Sequence, residues 1–305
     1  MPLGTNQVTT TTAATFIPEV WSDEIVAAYK KNLVAANIIK KMSFKGKKGD
    51  TVHIPAPTRG DASAKAANTQ VTLIAATEGE KTVSIDQHWE YSRLIEDIVE
   101  AQALSSLRQF YTDDAGYALA RKVDSTLIQL GRGVNGGSGT AAYSGAFSGA
   151  DGTTAYVAGA NTGSGALTDA AIRRSIQRLD DSDVPMDGRF LIVPPSTRNT
   201  LMGIARFTEQ AFVGESGGGN TIRNGEVGNV YGIPVFVTSN ADAATDGDRI
   251  CLLGHKDFAV LVEQMGVRTQ TQYKQEYLGT LFTADVLFGV GELRDGAAIA
   301  LAVPA

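Results

Sequence analysis

The chain has 305 residues, 43% of them hydrophobic, with 27 bases against 33 acids and a net charge of −6. The length suits two packed units of about 150 residues each, and the acidic balance excludes a histone-like or polybasic membrane binder. A single cysteine, Cys251, permits neither an internal disulfide nor a cysteine-built metal site, which suits a reducing compartment.

Met1 to Phe16 lacks the basic start and apolar run of a secretory signal and reads as a Thr-rich extended arm. Pro18 then opens a helix reaching Met42, with acids early and bases late, as the helix dipole prefers. Thr51 to Pro55 reads as a short strand. Thr82 to Tyr91 reads as another, because Val83, Ile85, Gln87, Trp89 and Tyr91 fall on one face at period two. Between them lie 26 residues rich in Ala, Thr, Gly and Asn. A connection longer than about 15 residues is usually functional or disordered, so this one is expected to project as an arm.

Leu94 to Leu130 holds no proline and one glycine, Gly116, and its apolar spacing predicts a helix that would be about 55 Å long at 1.5 Å per residue. Gly131 to Gly165 carries eleven glycines and reads as a mobile surface loop. Beyond it the pattern alternates. A helix over Thr168 to Leu179, with Thr168 as N-cap, precedes a buried strand at Phe190 to Val193, and a further helix follows over Ser196 to Ala211. Asn220 to Gly228 is a polar connector, and Gly232 to Val237 a strand. Arg249 to Leu253, Phe258 to Val262, Val267 to Tyr273, Leu281 to Phe288 and Ala297 to Val303 then read as five more. Helices and strands mixed early, with strands alone late, indicate an α+β fold.

Motifs for chemistry are sparse. Gly46-Lys47 lacks the earlier glycine and the following Ser or Thr of a phosphate loop. His53, His88 and His255 stand apart and read as structural. Asp180, Asp181, Asp183 and Asp187 fit no calcium-loop spacing and read as a solvated turn. Gly214 to Gly218 matches the G-x-S-x-G pattern around Ser216, but a helical segment precedes it and a Gly-rich run follows, whereas a nucleophile elbow joins a strand to a helix. No cofactor is expected.

Charge, however, is polarised. Lys40 to Lys65 holds seven bases and two acids, and Glu78 to Asp124 holds ten acids and five bases. Copies associating head to tail could therefore lay Lys45, Lys47, Lys48, Arg59 and Lys65 of a projecting loop on Glu96, Asp97 and Glu100 of the next. Contacts of this heterologous kind close into rings, and high salt should weaken them.

The order of several segments resembles the tailed-phage major capsid proteins of the HK97-like fold. The likeness is carried by Leu33 to Ile39, Lys48 to Pro55, Val83 to Asp97, Val184 to Pro194, Gly228 to Val235 and Leu293 to Leu301. The resemblance implies an N-terminal arm and helix (1–44), an extended β-hairpin loop (45–91), the spine helix of a peripheral domain (92–130), an apical domain (131–250) and peripheral C-terminal strands (251–305). It further implies a non-enzymatic subunit forming hexamers and pentamers of an icosahedral head around double-stranded DNA, within the virion and assembled in the host cytoplasm.

By the same resemblance, partners are a separate scaffolding protein, since only about 16 polar residues precede the first helix, a portal protein and a decoration or cement protein. DNA is expected to be touched weakly and without sequence preference, and no membrane is involved. One branch of the family joins subunits by a Lys–Asn bond. Lys65 could supply the lysine, but no Asn follows Asn240, so no such bond is expected. Two rivals remain, an encapsulin-like nanocompartment of the same fold and a serine hydrolase using Ser216.

Overall fold

The computed structural model describes residues 35–57, 60–71, 73, 78–97, 107–158, 165–204 and 228–305. The arm, most of the first predicted helix, Arg59, Glu100, Ser216 and most of the 220–228 connector lie outside these residues.

Three β-structures organise the described chain. A four-stranded sheet runs in the order β1 (Lys40–Ser43), β10 (Ala259–Lys274), β11 (Gly279–Glu292), β4 (Gln87–Glu96). A six-stranded sheet runs β5 (Phe147–Ser148), β12 (Ala298–Val303), β9 (Arg249–His255), β6 (Arg189–Val193), β8 (Ile233–Val237), β7 (Asn229–Val230). A separate ribbon pairs β2 (Thr51–Pro57) with β3 (Glu78–Ser84) in antiparallel register. Helix α1 (Ala35–Ile38) leads into β1, and α2 (Leu107–Gln129) packs on the four-stranded sheet. Helices α3 (Asp169–Asp181) and α4 (Pro195–Met202) contribute Ile172, Leu179 and Leu201 to a second core over the six-stranded sheet. The architecture is α+β, as composition and order suggest.

Several elements differ from the sequence reading. The helical pattern leading to Met42 gives way at Lys40, because Lys40 to Ser43 pairs in parallel with Val260 to Glu263. Leu94 to Glu96 belong to a strand instead of the predicted helix; the described long helix runs Leu107–Gln129, and Gly116 does not interrupt it. Its 23 residues span about 35 Å at 1.5 Å per residue, well short of the expected 55 Å. Leu94 and Ile95 belong to β4, which is laddered to β11 from Gln87↔Phe288 to Glu96↔Gly279. The strand predicted over Thr82 to Tyr91 is thus two strands, one in the ribbon and one in the body. On β4 the Trp89, Tyr91 and Arg93 face turns to α2. Lys122 Nζ sits 3.9 Å from the centre of the Trp89 ring, and Tyr91 Oη donates to Asp114 at 2.6 Å.

The glycine-rich segment is no mobile loop over its described part. Val134, Tyr143, Ala146 and Tyr156 are buried, and Tyr143 Oη and Arg132 Nε both donate to Asp242, at 2.6 and 2.7 Å. Two of its glycines are set by close backbone approach. A Cβ at Gly145 would lie 2.2 Å from the Val134 carbonyl, and one at Gly149 2.4 Å from the Gly165 carbonyl. The runs predicted at 258–262 and 267–273 are one strand, β10, with register shifts between Glu263 and Met265 and between Met265 and Arg268.

Buried Asp124 ties distant segments together. It accepts from the Ala35 amide at 2.7 Å and from Asn240 Nδ2 at 2.9 Å, so one carboxylate on α2 fixes α1 and the loop after β8. Thr168 caps α3, accepting from the Ala171 amide, as the sequence predicts.

Candidate intersubunit surfaces

The ribbon is rooted by packing and by backbone clamps. Val83 and Ile85 join Val260 and Val262 in a small apolar core, with Val52, Ile54 and Leu293 packed against it. Gln264 Nε2 donates to the carbonyls of Lys47 and Gly49, at 3.2 and 3.0 Å, holding the ribbon's first turn to β10. Beyond the root this support ends. Every residue from 60 to 71 is exposed, and so are the apolar side chains of Val71 (61%) and Leu73 (89%). A chain that leaves large apolar groups in water on a projecting segment has not buried its full complement by itself.

The structure brings some predicted contact residues together. Lys45, Lys47 and Lys48 cluster at the ribbon root, where Lys45 Nζ lies 3.8 Å from Glu263 and Lys47 Nζ 5.5 Å from the centre of the Phe44 ring. Exposed ion pairs of this type contribute little to stability, under about 1 kcal/mol. Lys65 lies in the exposed stretch of the loop. Glu96 and Asp97 lie at the far end of β4. There the Asp97 amide donates to the Leu278 carbonyl at 3.0 Å, and Tyr273 Oη donates to the Asp97 carboxylate at 2.8 Å, a bond that raises the Tyr273 phenol above its usual value.

Bases and acids of one chain are thus held apart. Lys45 sits beside Glu263 and Asp97 beside Tyr273, ten residues further along β10, which is roughly 30 Å at 3.3 Å per residue. Neither group can neutralise the other within one copy.

The three histidines and Asp180 have structural partners. His53 Nδ1 is 3.1 Å from Glu80 and His88 Nε2 is 3.0 Å from Asp285, while His255 Nε2 is 2.8 Å from the Asp187 carbonyl. Asp180 accepts from Arg189 at 2.6 Å, and no cluster of three or more metal-ligating side chains occurs among the described residues. Cys251 is fully buried, and burial pushes its thiol up to about 12. No described helix is long and apolar enough to cross a membrane.

Solved structures share this architecture over nearly the whole chain. One from Mycobacterium phage Che8 aligns with a TM-score of 0.68 and 21% identity, covering 88% of this chain and 90% of its own. The capsid of cyanophage P-SCSP1u gives 0.67 and 21%, covering 89% and 88%. A virus-like particle from Pyrococcus furiosus gives 0.58 and 11%, covering 94% and 99%. At these identities the likeness defines the fold, that of HK97-like shell subunits. No curated protein matches the chain's sequence. A family model described as phage capsid protein matches residues 89–301, and the chain belongs to that family. It is a phage major capsid protein, a non-enzymatic virion component that forms the icosahedral head.

Proposed function

We propose that copies of this chain associate head to tail into hexamers and pentamers, the ribbon of one copy lying on the acidic end of the next. The observation that carries this is the separation described above. The exposed lysines at the ribbon root stand roughly 30 Å from the acids that would complement them, and Val71 and Leu73 further along the loop are unburied. In this arrangement Lys45, Lys47, Lys48, Arg59 and Lys65 face Glu96, Asp97 and Glu100 of the neighbour. The ribbon serves as the extended loop, α2 as the spine and the four-stranded sheet as the peripheral domain, while the six-stranded sheet serves as the apical domain and draws β9 and β12 into it from the 251–305 stretch expected to be peripheral.

A separate scaffolding protein, a portal and a decoration protein complete the proposed assembly. Packaged double-stranded DNA is contacted weakly, because a chain with net charge −6 offers few cations to displace counterions from phosphates.

Charge reversal tests the association. The triple variant Lys45→Glu, Lys47→Glu, Lys48→Glu should stay unassembled by sedimentation under conditions where the native chain forms shells. Adding Glu96→Lys and Asp97→Lys should restore assembly. A triple variant that assembles like the native protein, with no change in salt dependence, overturns the proposal.

A further inference from the structure

Two features at opposite ends of the four-stranded sheet present side chains that find no partner among the described residues of one chain. The first is a cleft of about 710 Å³ where the ribbon leaves the body. Ile54, Ala56 and Leu293 give it apolar walls, and Lys40, Lys81 and Arg294 bring three cations to it. Among the described residues, Asp183 and Asp257 are the acids that line it. Lys40, Lys81 and Arg294 are exposed, and none forms an ion pair with another described residue.

The second feature is the turn between β10 and β11. It exposes Tyr277 (62%) and Leu278 (66%), and Leu278 has φ +44, a left-handed conformation that side chains other than glycine, Asn and Asp rarely adopt. Glu276, Glu96 and Asp97 outnumber Lys274 around this tip, leaving it net negative. The backbone of this turn is bonded within the molecule, through the Leu278 carbonyl and the Asp97 amide, but its two large apolar side chains are left in water. This is the form expected of a contact made with something else.

The two features are complementary in both polarity and charge. The tip presents apolar side chains with acidic neighbours, and the cleft offers an apolar wall of Ile54, Ala56 and Leu293 beside a mainly basic rim. They cannot meet within one copy. The cleft lies by the Ala259↔Glu292 end of the β10–β11 ladder and the tip lies beyond its Lys274↔Gly279 end, about 50 Å away at 3.3 Å per residue.

We propose that the β10–β11 turn of one copy seats in the ribbon-root cleft of another, Tyr277 and Leu278 covering Ile54, Ala56 and Leu293 while Glu276 faces Lys81 and Arg294. The contact rests on the head-to-tail association proposed above and names the seat that fixes its register. It is heterologous, with different patches meeting on each side, so each copy both gives a tip and receives one.

Cysteine mapping tests it cleanly, because the native chain's only cysteine, Cys251, is fully buried. Shells assembled from the double variant Ala56→Cys, Tyr277→Cys are treated with a mild oxidant and run on a non-reducing denaturing gel. A ladder of covalent multimers is expected, absent from either single variant. Oxidised shells that run only as monomer overturn the seat, and so would a cleft occupied by a different protein.

A charge swap provides a second readout. Arg294→Glu and Glu276→Arg should each lower the yield of shells, and together should recover it; no recovery in the pair counts against the contact. The two proposals fail separately. If the ladder is missing while the Lys45, Lys47, Lys48 triple variant still blocks assembly, the seat falls and head-to-tail association stands. If assembly ignores both sets of changes, both fall.

Discussion

Glu292 ends β11 at the root of the ribbon, close enough to Gly133 that a Cβ there would lie 2.7 Å from its carboxylate. Burial raises its pKa, the neighbouring Asp295 carboxylate pushes the same way, and Lys81 only partly opposes them. A carboxyl raised in the folded state holds its proton there more tightly than in the unfolded chain. Its contribution to stability is complete below the ordinary glutamate range and is lost as pH rises through the folded value. Glu292→Gln, which keeps the group neutral, should therefore raise the urea midpoint at neutral pH, with the gain shrinking as the pH approaches 4. A gain independent of pH would show that ionisation is not the cause. Asp285 behaves oppositely. Burial alone would raise it, but hydrogen bonds from Arg268 and His88 outweigh burial and hold it low, so its contribution is lost only in acid.

Helix α2 owes its position to one buried row. Leu119, Val123 and Leu127 recur every four residues, all at or below 3% exposure, and share a core with Phe282, Val286 and Phe288 of β11. Leu127→Ala should cost about 2–5 kcal/mol, read as a lower urea midpoint at unchanged slope. A smaller loss would mean that the neighbouring side chains collapse into the space. This row was legible from spacing alone, as were the first ribbon strand, the cap at Thr168 and most of the late strands. The start of the helix was not, because Leu94 and Ile95 satisfy both periods and only the ladder to β11 decides between them. The order of the glycine-rich segment was hidden for a related reason. Composition registers Gly145 and Gly149 as freedom, whereas the fold uses them where backbone meets backbone. Of the contact surfaces, the charge polarity could be read along the chain. The cleft could not, since Lys40, Ile54, Lys81, Asp183 and Arg294 converge only through tertiary structure.

At the scale of the whole molecule, cohesion between copies is expected to be non-covalent. Lys65 is exposed on the loop, but no asparagine follows Asn240, and Asn240 is itself engaged by Asp124. Mature native shells boiled in detergent should run as a single band at the monomer mass of 32.1 kDa. Higher covalent species would show that a bond between lysine and another partner forms.

The two register shifts in β10, within a few residues of Gly266, mark where its long ladder with β11 departs from regularity. Such irregularities increase local twist and let a strand bend without breaking the pairing on either side. A five-fold vertex and a six-fold face ask slightly different angles of the same molecule. The bend partway along this sheet is where, in the proposed hexamers and pentamers, one sequence would accommodate both curvatures.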